Sequence, residues 1–499
     1  MAEGHYLLGL DIGSSSVKAS LIDAENGHLV GSATSPTSEM PMQAPEPGWA
    51  EQNPEMWWDN VVASVQEIVT RYKTEPEEIA AIGISYQMHG LVCVDKDQQV
   101  LRPSIIWCDS RAVAIGNKAF ETLGSEFCLS SLLNSPGNFT ASKLSWVQQN
   151  EPDIYNKIDK IMLPGDYIAM RLTGEINTTI SGLSEGIFFD YKKQTISDEL
   201  LLHYNIDKSL LPEVVPTFAI QGELSQEAAQ QLGIKAGTKI SYRAGDQPNN
   251  AFSLNVLAPG EVAATAGTSG VVYGIIDQPS YDQQSRVNTF VHVNHEKNNP
   301  RYGVLLCVNG TGILNSWLKH NVAGGLDYEA MNEEAAKVPA GADGVMVLPF
   351  GNGAERVLGN QDIGARFLNF NFNRHQRNHL FRASQEGIVF ALNYGFEIMQ
   401  SMGLQLNVVR AGQANMFLSD IFKQTFANAT GATVELINTD GAQGAARGAG
   451  LGAGIFKNRE ETFRGLKTIQ TIEPDKDQKN YYQALYSRWQ AQLNNILKN

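Results

Sequence analysis

The stretch Tyr6–Asp23, Y-L-L-G-L-D-I-G-S-S-S-V-K-A-S-L-I-D, decides how this chain is read. Two short apolar runs flank the small-residue turn Asp11-Ile12-Gly13-Ser14-Ser15-Ser16, which predicts a β-hairpin. A tight Gly/Ser turn exposes successive backbone N–H groups and adds hydroxyl donors, the chemistry that a polyphosphate tail needs. The acid closing the first strand, Asp11, is placed to hold a hydrated magnesium ion beside such a tail. A lone turn of this composition is usually only a turn. The plan returns, however, in the second half, where Val262 to Ala266, Gly267-Thr268-Ser269-Gly270 and Val271-Val272-Tyr273 again read strand, small polar turn, strand. Two such turns, one in each half, point to a nucleotide gripped from both sides by two related domains.

Outward from the first hairpin, apolar positions at Trp57, Val61, Val65, Ile68 and Val69 recur at helical spacing after Pro54, predicting a helix to Tyr72. Ile79 to Ser85 and Leu91 to Val94 are strand candidates around the loop Tyr86-Gln87-Met88-His89-Gly90. A strand at Lys160 to Leu163 and a helix near Tyr167 to Leu172 follow, then a polar stretch to about Thr217 that reads as irregular. Further strands are expected at Gly303 to Val308, Val345 to Leu348 and Val408 to Ala411, and long helices at Asn378 to Met402 and Phe417 to Ala429. Gly441 to Ile455 is so rich in Gly and Ala that it implies tight helix packing near a ligand or a domain seam.

The length of 499 residues suits two large or about three ordinary domains, and 42% hydrophobic residues is ample for their cores. A formal net charge of −15 argues against a nucleic-acid surface, which needs clustered Lys and Arg. A phosphate-bearing small ligand stays compatible, held by backbone amides and a metal. Cys93, Cys108, Cys128 and Cys307 are too far apart for a zinc site or a redox pair. Met1 to Tyr6 lacks a basic and apolar leader, and no run of about 18 apolar residues occurs, so a cytoplasmic protein outside the membrane is expected. No G-x-x-x-x-G-K-[ST] is present, nor a G-x-G-x-x-G between a first strand and a helix, which removes the P-loop and dinucleotide-binding readings.

Taken together, these motifs resemble the FGGY family of carbohydrate kinases, and within it the xylulokinases most closely. The resemblance spans nearly the whole chain. It rests on Leu8 to Lys18, on P-G-W-A-E-Q-N-P-E-M-W-W at Pro47 to Trp58, and on Q-M-H-G at Gln87 to Gly90. It continues through R-P-S-I-I-W-C-D-S-R at Arg102 to Arg111, K-L-S-W-V at Lys143 to Val147 and I-M-L-P-G-D-Y at Ile161 to Tyr167. In the second half it takes in G-D-Q at Gly245 to Gln247, A-G-T-S-G at Ala266 to Gly270 and G-A-A-R-G-A-G at Gly444 to Gly450. The resemblance implies an α/β fold of two actin-like (ribonuclease H-like) domains, residues 1–248 and 249–499, with a nucleotide and sugar cleft between them. It implies ATP and Mg2+, a sugar as partner, and a homodimer as the assembly common among relatives.

Carried over by position, the family gives Asp11 to the magnesium ion and Gly13, Ser14, Ser15, Ser16, Gly267, Thr268 and Ser269 to the ATP phosphates. Gly412 and Asn415 fall to the adenosine, although A-G-Q-A-N keeps one glycine of the usual G-G-G-A. Asp246 matches the catalytic base, and a carboxylate of ordinary pKa is ionised at neutral pH. Met88 and His89 match the pair that distinguishes xylulokinases from glycerol kinases, with Trp107, Asp246 and Gln247 completing the substrate set. Gln247 stands where Asn is common and gives the D-Q of glycerol kinases, and Cys108 replaces a usual Asn. The expected reaction is phosphorylation of the 5-hydroxyl of D-xylulose by ATP. A kinase of another ketose or polyol (ribulose, a deoxyketose, a glycerol-like acceptor) is the alternative. An actin-type or heat-shock-type ATPase is a third, which leaves Gln87 to Gly90, Trp107 and Asp246 without a purpose.

Overall fold

The computed structural model describes residues 5–498; Met1–Gly4, the start of the stretch read above as lacking a leader, and Asn499 lie outside the described residues. Strand β1 (Tyr6–Ile12) turns into β2 (Val17–Asp23) in antiparallel register, Tyr6 opposite Asp23 and Ile12 opposite Val17, and β2 pairs on with β3 (Leu29–Ser35). Helix α1 (Pro54–Tyr72) starts at Pro54 because Asn53 caps it, its side chain accepting from the Glu55 N–H. Its apolar stripe, Trp57, Val61, Val65 and Ile68, is fully buried with β1 and β2 in one core. The chain continues through β4 (Ile79–Tyr86), α2 (Pro164–Thr173), α3 (Ile180–Glu185), β5 (Phe218–Glu223), β6 (Lys239–Gly245) and α4 (Asp246–Ser253). The first sheet runs β5-β6-β4-β1-β2-β3, with β6, β4 and β1 parallel and antiparallel strands on either side.

The second sheet is built on β7 (Glu261–Ala266), β8 (Gly270–Ile276), β9 (Asn288–Val291) and β10 (Tyr302–Val308). It is completed by β11 (Val408–Gly412), β12 (Thr433–Ile437) and β13 (Thr468–Ile472). Its order is β9-β10-β8-β7-β11-β12-β13. Read from the other edge, β13-β12-β11-β7-β8 has the same succession of pairings as β5-β6-β4-β1-β2, an antiparallel edge, three parallel strands, then the antiparallel arm of a hairpin, although the edge strand precedes its neighbour in the chain in the first sheet and follows it in the second. The related halves inferred from two similar turns are therefore two copies of one sheet plan. The helices that accompany the second sheet include α5 (Gly312–Asn321), α6 (Arg377–Ser401) and α7 (Asp420–Thr430).

One expectation needs correction. The polar stretch to Thr217 is not irregular; it holds α3, a helix at Asp198–Tyr204 and several shorter elements, whose lengths fall below the window in which periodicity is visible. The compact units are discontinuous along the chain. The first unit runs to Asn255 and takes back 290–302 and 439–466, and the second holds 256–289, 303–438 and 467–499. The physical reason is α8 (Gly441–Gly452), the Gly/Ala-rich segment. It lies so close to the first sheet that a Cβ at Gly9 would come within 1.8 Å of the Ala442 carbonyl oxygen, and one at Gly83 within 2.0 Å of that of Ala445. Only paired small residues allow a helix to rest on strand backbone in this way.

Candidate active site

In the first unit, Asp11 at the end of β1 accepts a hydrogen bond from Ser85 Oγ at 2.8 Å and is packed against Gly441, the first residue of α8. Lys18 Nζ pairs nearby with Asp440 at 2.7 Å. Burial pushes the Asp11 carboxyl above its ordinary range; the Ser85 bond opposes this, and the Asp440 charge adds to it. The turn from Gly13 to Ser16 is closed by the Gly13 N–H donating to the Ser16 carbonyl at 3.0 Å.

Asp246 is the first residue of α4, directly after strand β6. Its carboxyl does not keep the ordinary value assumed from the sequence. Burial, then the like charge of Asp11, raises it to about 7 against the hydrogen bonds from Gln247. The structure thus brings Asp11, Asp246 and Gln247 together. Met88 joins them, since a Cβ at Gly245 would meet its Cγ at 2.6 Å. His89 sits in a left-handed conformation, φ 63°, with its carbonyl accepting from the buried Lys143 Nζ at 2.8 Å. Trp107 stays half exposed, 53%, with its Nε1 3.4 Å from Ser14 Oγ, so the indole stands beside the Gly13–Ser16 turn.

Two supports were not singled out from the sequence. Gln52 is buried and donates through Nε2 to the Ser14 carbonyl at 2.7 Å, while its Oε1 accepts from Trp57 at 3.0 Å and from Gln87 at 3.4 Å. One carboxamide therefore joins the Gly13–Ser16 turn to the Gln87-Gly90 loop, and Trp57 packs in the core while its indole N–H helps to hold that carboxamide. Arg111 lies over the Trp49 ring at 3.8 Å and pairs with Glu51 and Asp109, both at 2.7 Å. This buried cluster is what P-G-W-A-E-Q and W-C-D-S-R build together.

In the second unit, Gly267 and Thr268 line a cavity of about 400 Å³ with Ser316, Asn332, Asn415 and Ser419. Gly412 ends β11 just before it and is not among the lining residues, and Ser269 stands within reach of Cys307. The Gly267 and Thr268 carbonyls accept from the Gly312 and Ile313 N–H groups at 2.9 and 3.1 Å. The loop making those bonds is held by Glu355, whose carboxyl accepts from the Asn309 and Gly310 N–H groups at 2.9 and 3.0 Å. Asn332 is fixed from behind by Gln385, which in turn accepts from Ser419. Among the described residues no group of three or more His, Cys, Asp or Glu side chains could hold a metal ion. Asp11 would supply one carboxylate to a magnesium ion whose shell phosphates and water complete.

Comparison with known proteins matches residues 6–253 to the N-terminal domain of the FGGY family of carbohydrate kinases and residues 262–455 to its C-terminal domain. The chain belongs to this family. As an FGGY kinase it is a phosphotransferase with an alcohol group as acceptor, and ATP is its phosphoryl donor. It is 29% identical over 466 residues to the xylulose kinase of Bacillus subtilis, covering 91% of this chain and 90% of the other. It is also similar to the solved xylulose kinase of Rhodospirillum rubrum, with a TM-score of 0.87, 26% identity and coverage of 99% and 100%. A gluconate kinase from Lactobacillus acidophilus superposes with a TM-score of 0.89 at 23% identity over 99% and 98% of the chains, a likeness of fold alone. No helix of this FGGY kinase is long and apolar enough to cross a membrane among the described residues.

Proposed function

We propose that this kinase transfers the γ-phosphoryl group of ATP to the 5-hydroxyl of D-xylulose, giving D-xylulose 5-phosphate and ADP. The observation that carries this reading is the approach of Met88, and of His89 through Glu185, to the Gly245–Gln247 segment that holds Asp246, in a chain similar to xylulose kinases along almost its full length. Phosphoryl transfer asks for an oriented hydroxyl, a base and stabilisation of charge on the transferring group. Asp246 takes the proton of the attacking hydroxyl, and a value of about 7 suits a base working at neutral pH. Met88, His89, Gln247 and the exposed face of Trp107 hold the sugar. The backbone amides and hydroxyls of Gly13, Ser14, Ser15 and Ser16, and of Gly267, Thr268 and Ser269, bind phosphate oxygens, while Gly412 and Asn415 contact the adenosine. Asp11 would hold the magnesium ion, which neutralises phosphate charge when bound.

Gln247 favours keeping a second acceptor class in view, since its carboxamide reaches one methylene further than the Asn usual there. The deciding measurement is ADP release over a panel of D-xylulose, ribulose, deoxyketoses, gluconate and glycerol. D-xylulose should give the highest kcat/KM. Turnover of another acceptor with none on D-xylulose would move the assignment to that acceptor, and nucleotide hydrolysis indifferent to all of them would overturn it.

A further inference from the structure

We infer that Glu185 is a positioning residue of the sugar subsite, one side chain that fixes both His89 and the Gly245-Asp246 junction. The inference rests on the sugar role proposed above for Met88, His89 and Asp246. Glu185 ends α3 and is fully buried. Its helix is short but anchored: Thr179 caps it by accepting from the Gly182 N–H at 3.0 Å, Ser181 donates to the Val291 carbonyl, and Ser184 accepts from the Val291 N–H. The residue therefore presents its carboxyl from a fixed seat.

That carboxyl meets the sugar loop and the base together. The His89 N–H points to Glu185 Oε1 at 3.4 Å, and His89 Nδ1 lies 2.9 Å from the Glu185 carbonyl oxygen. A carbonyl can only accept, so in the neutral ring the proton sits on Nδ1, and the tautomer is set by Glu185. A non-glycine residue at φ 63° persists only where its surroundings over-determine it. At His89 these surroundings are Glu185, the Lys143 Nζ on its carbonyl, and the Phe139 ring 4.8 Å away, edge to face. On its other side, Glu185 Oε2 occupies the place of a side chain at Gly245, where a Cβ would lie 2.4 Å from it. The strand end that presents Asp246 is thus seated on the same carboxyl.

The surroundings of this carboxyl favour its protonated form. Burial pushes its carboxyl well above the usual range, with Asp246 and Asp166 adding to that and the His89 and Tyr86 hydrogen bonds offsetting part. Glutamine is its isostere in that state, which makes the role testable.

Wild type, Glu185→Gln, Glu185→Ala and Glu185→Met are to be compared in steady-state kinetics with whichever panel sugar the wild type turns over best, so that a failed D-xylulose assignment stays separate from a failed Glu185 assignment. Glu185→Gln should stay within about threefold of wild type for both substrates. Glu185→Ala should raise the sugar KM on the order of 10–100-fold while the ATP KM stays within about twofold, because the lost contacts serve the sugar side only. Glu185→Met, which fills the volume without the bonds, should do the same and covers the case in which the alanine variant does not fold. An unchanged sugar KM in Glu185→Ala or Glu185→Met, equal rises in both KM values, or a Glu185→Gln variant as impaired as the alanine would each overturn the inference.

Discussion

At Asp246 two features of the structure act in the same direction: enclosure in protein, and a second carboxylate, Asp11, whose charge it feels. Both disfavour the ionised form, so the ligand-free protein should show this carboxyl titrating near pH 7, about three units above a free aspartate. Between those two values the native state holds a proton that the unfolded chain has lost. The residue's contribution to stability is therefore full below the ordinary aspartate pKa and is lost as pH rises through about 7. Carboxyl carbon-13 NMR of the ligand-free enzyme measures the midpoint directly. Asp11→Asn removes the second cause and should bring the Asp246 midpoint down while leaving it above the free value, because burial, the larger cause, remains. A midpoint in the ordinary aspartate range in wild type would contradict this account of the site.

At the scale of elements, the contact of α8 with β1, β4 and β6 depends on the absence of side chains. Gly83→Val should lower the apparent thermal midpoint and the soluble yield, because the new atoms meet the Ala445 carbonyl, backbone that cannot swing aside; overpacking of this kind costs about 1–3 kcal/mol. Scanning calorimetry beside Ala44→Val, at an exposed position outside helix and strand, separates the effect from added bulk, and equal midpoints would show that the helix yields. The same element marks what the sequence could tell. Helix α1 was legible to the residue, and hairpin β1–β2 apart from the last two residues of β1, because apolar runs around a small-residue turn, a Pro in the first helical turn and a helical stripe are local signals. The Gly/Ala composition of α8 announced close packing, yet not against what, since a contact between residues 9 and 442 leaves no local trace. The residues proposed for the sugar side, Met88, His89 and Asp246, stand in motifs; Glu185 does not, lying in a six-residue helix too short to show periodicity, and Gln52 was hidden inside a motif whose Trp residues drew attention.

For the molecule as a whole, a net charge of −15 and an anionic substrate are reconciled if the phosphates meet backbone amides and hydroxyls rather than a basic surface. The residues assigned to the sugar all lie in the first unit, and the cavity lined by Gly267, Thr268 and Asn415 lies in the second. Binding and chemistry should then separate by variant. A ligand at 100 times its Kd stabilises the fold that binds it by about 2.7 kcal/mol, enough for a clear thermal shift. Asp246→Ala should keep the shift from ATP and lose turnover on the order of 10²–10⁴-fold, as removal of a general base does. Gly267→Leu places a side chain in the cavity and should lose the ATP shift while keeping that from the sugar. Near wild-type turnover in Asp246→Ala would remove it as the base. An ATP shift that survives Gly267→Leu would move the nucleotide away from this cavity, and with it the division of labour between the units.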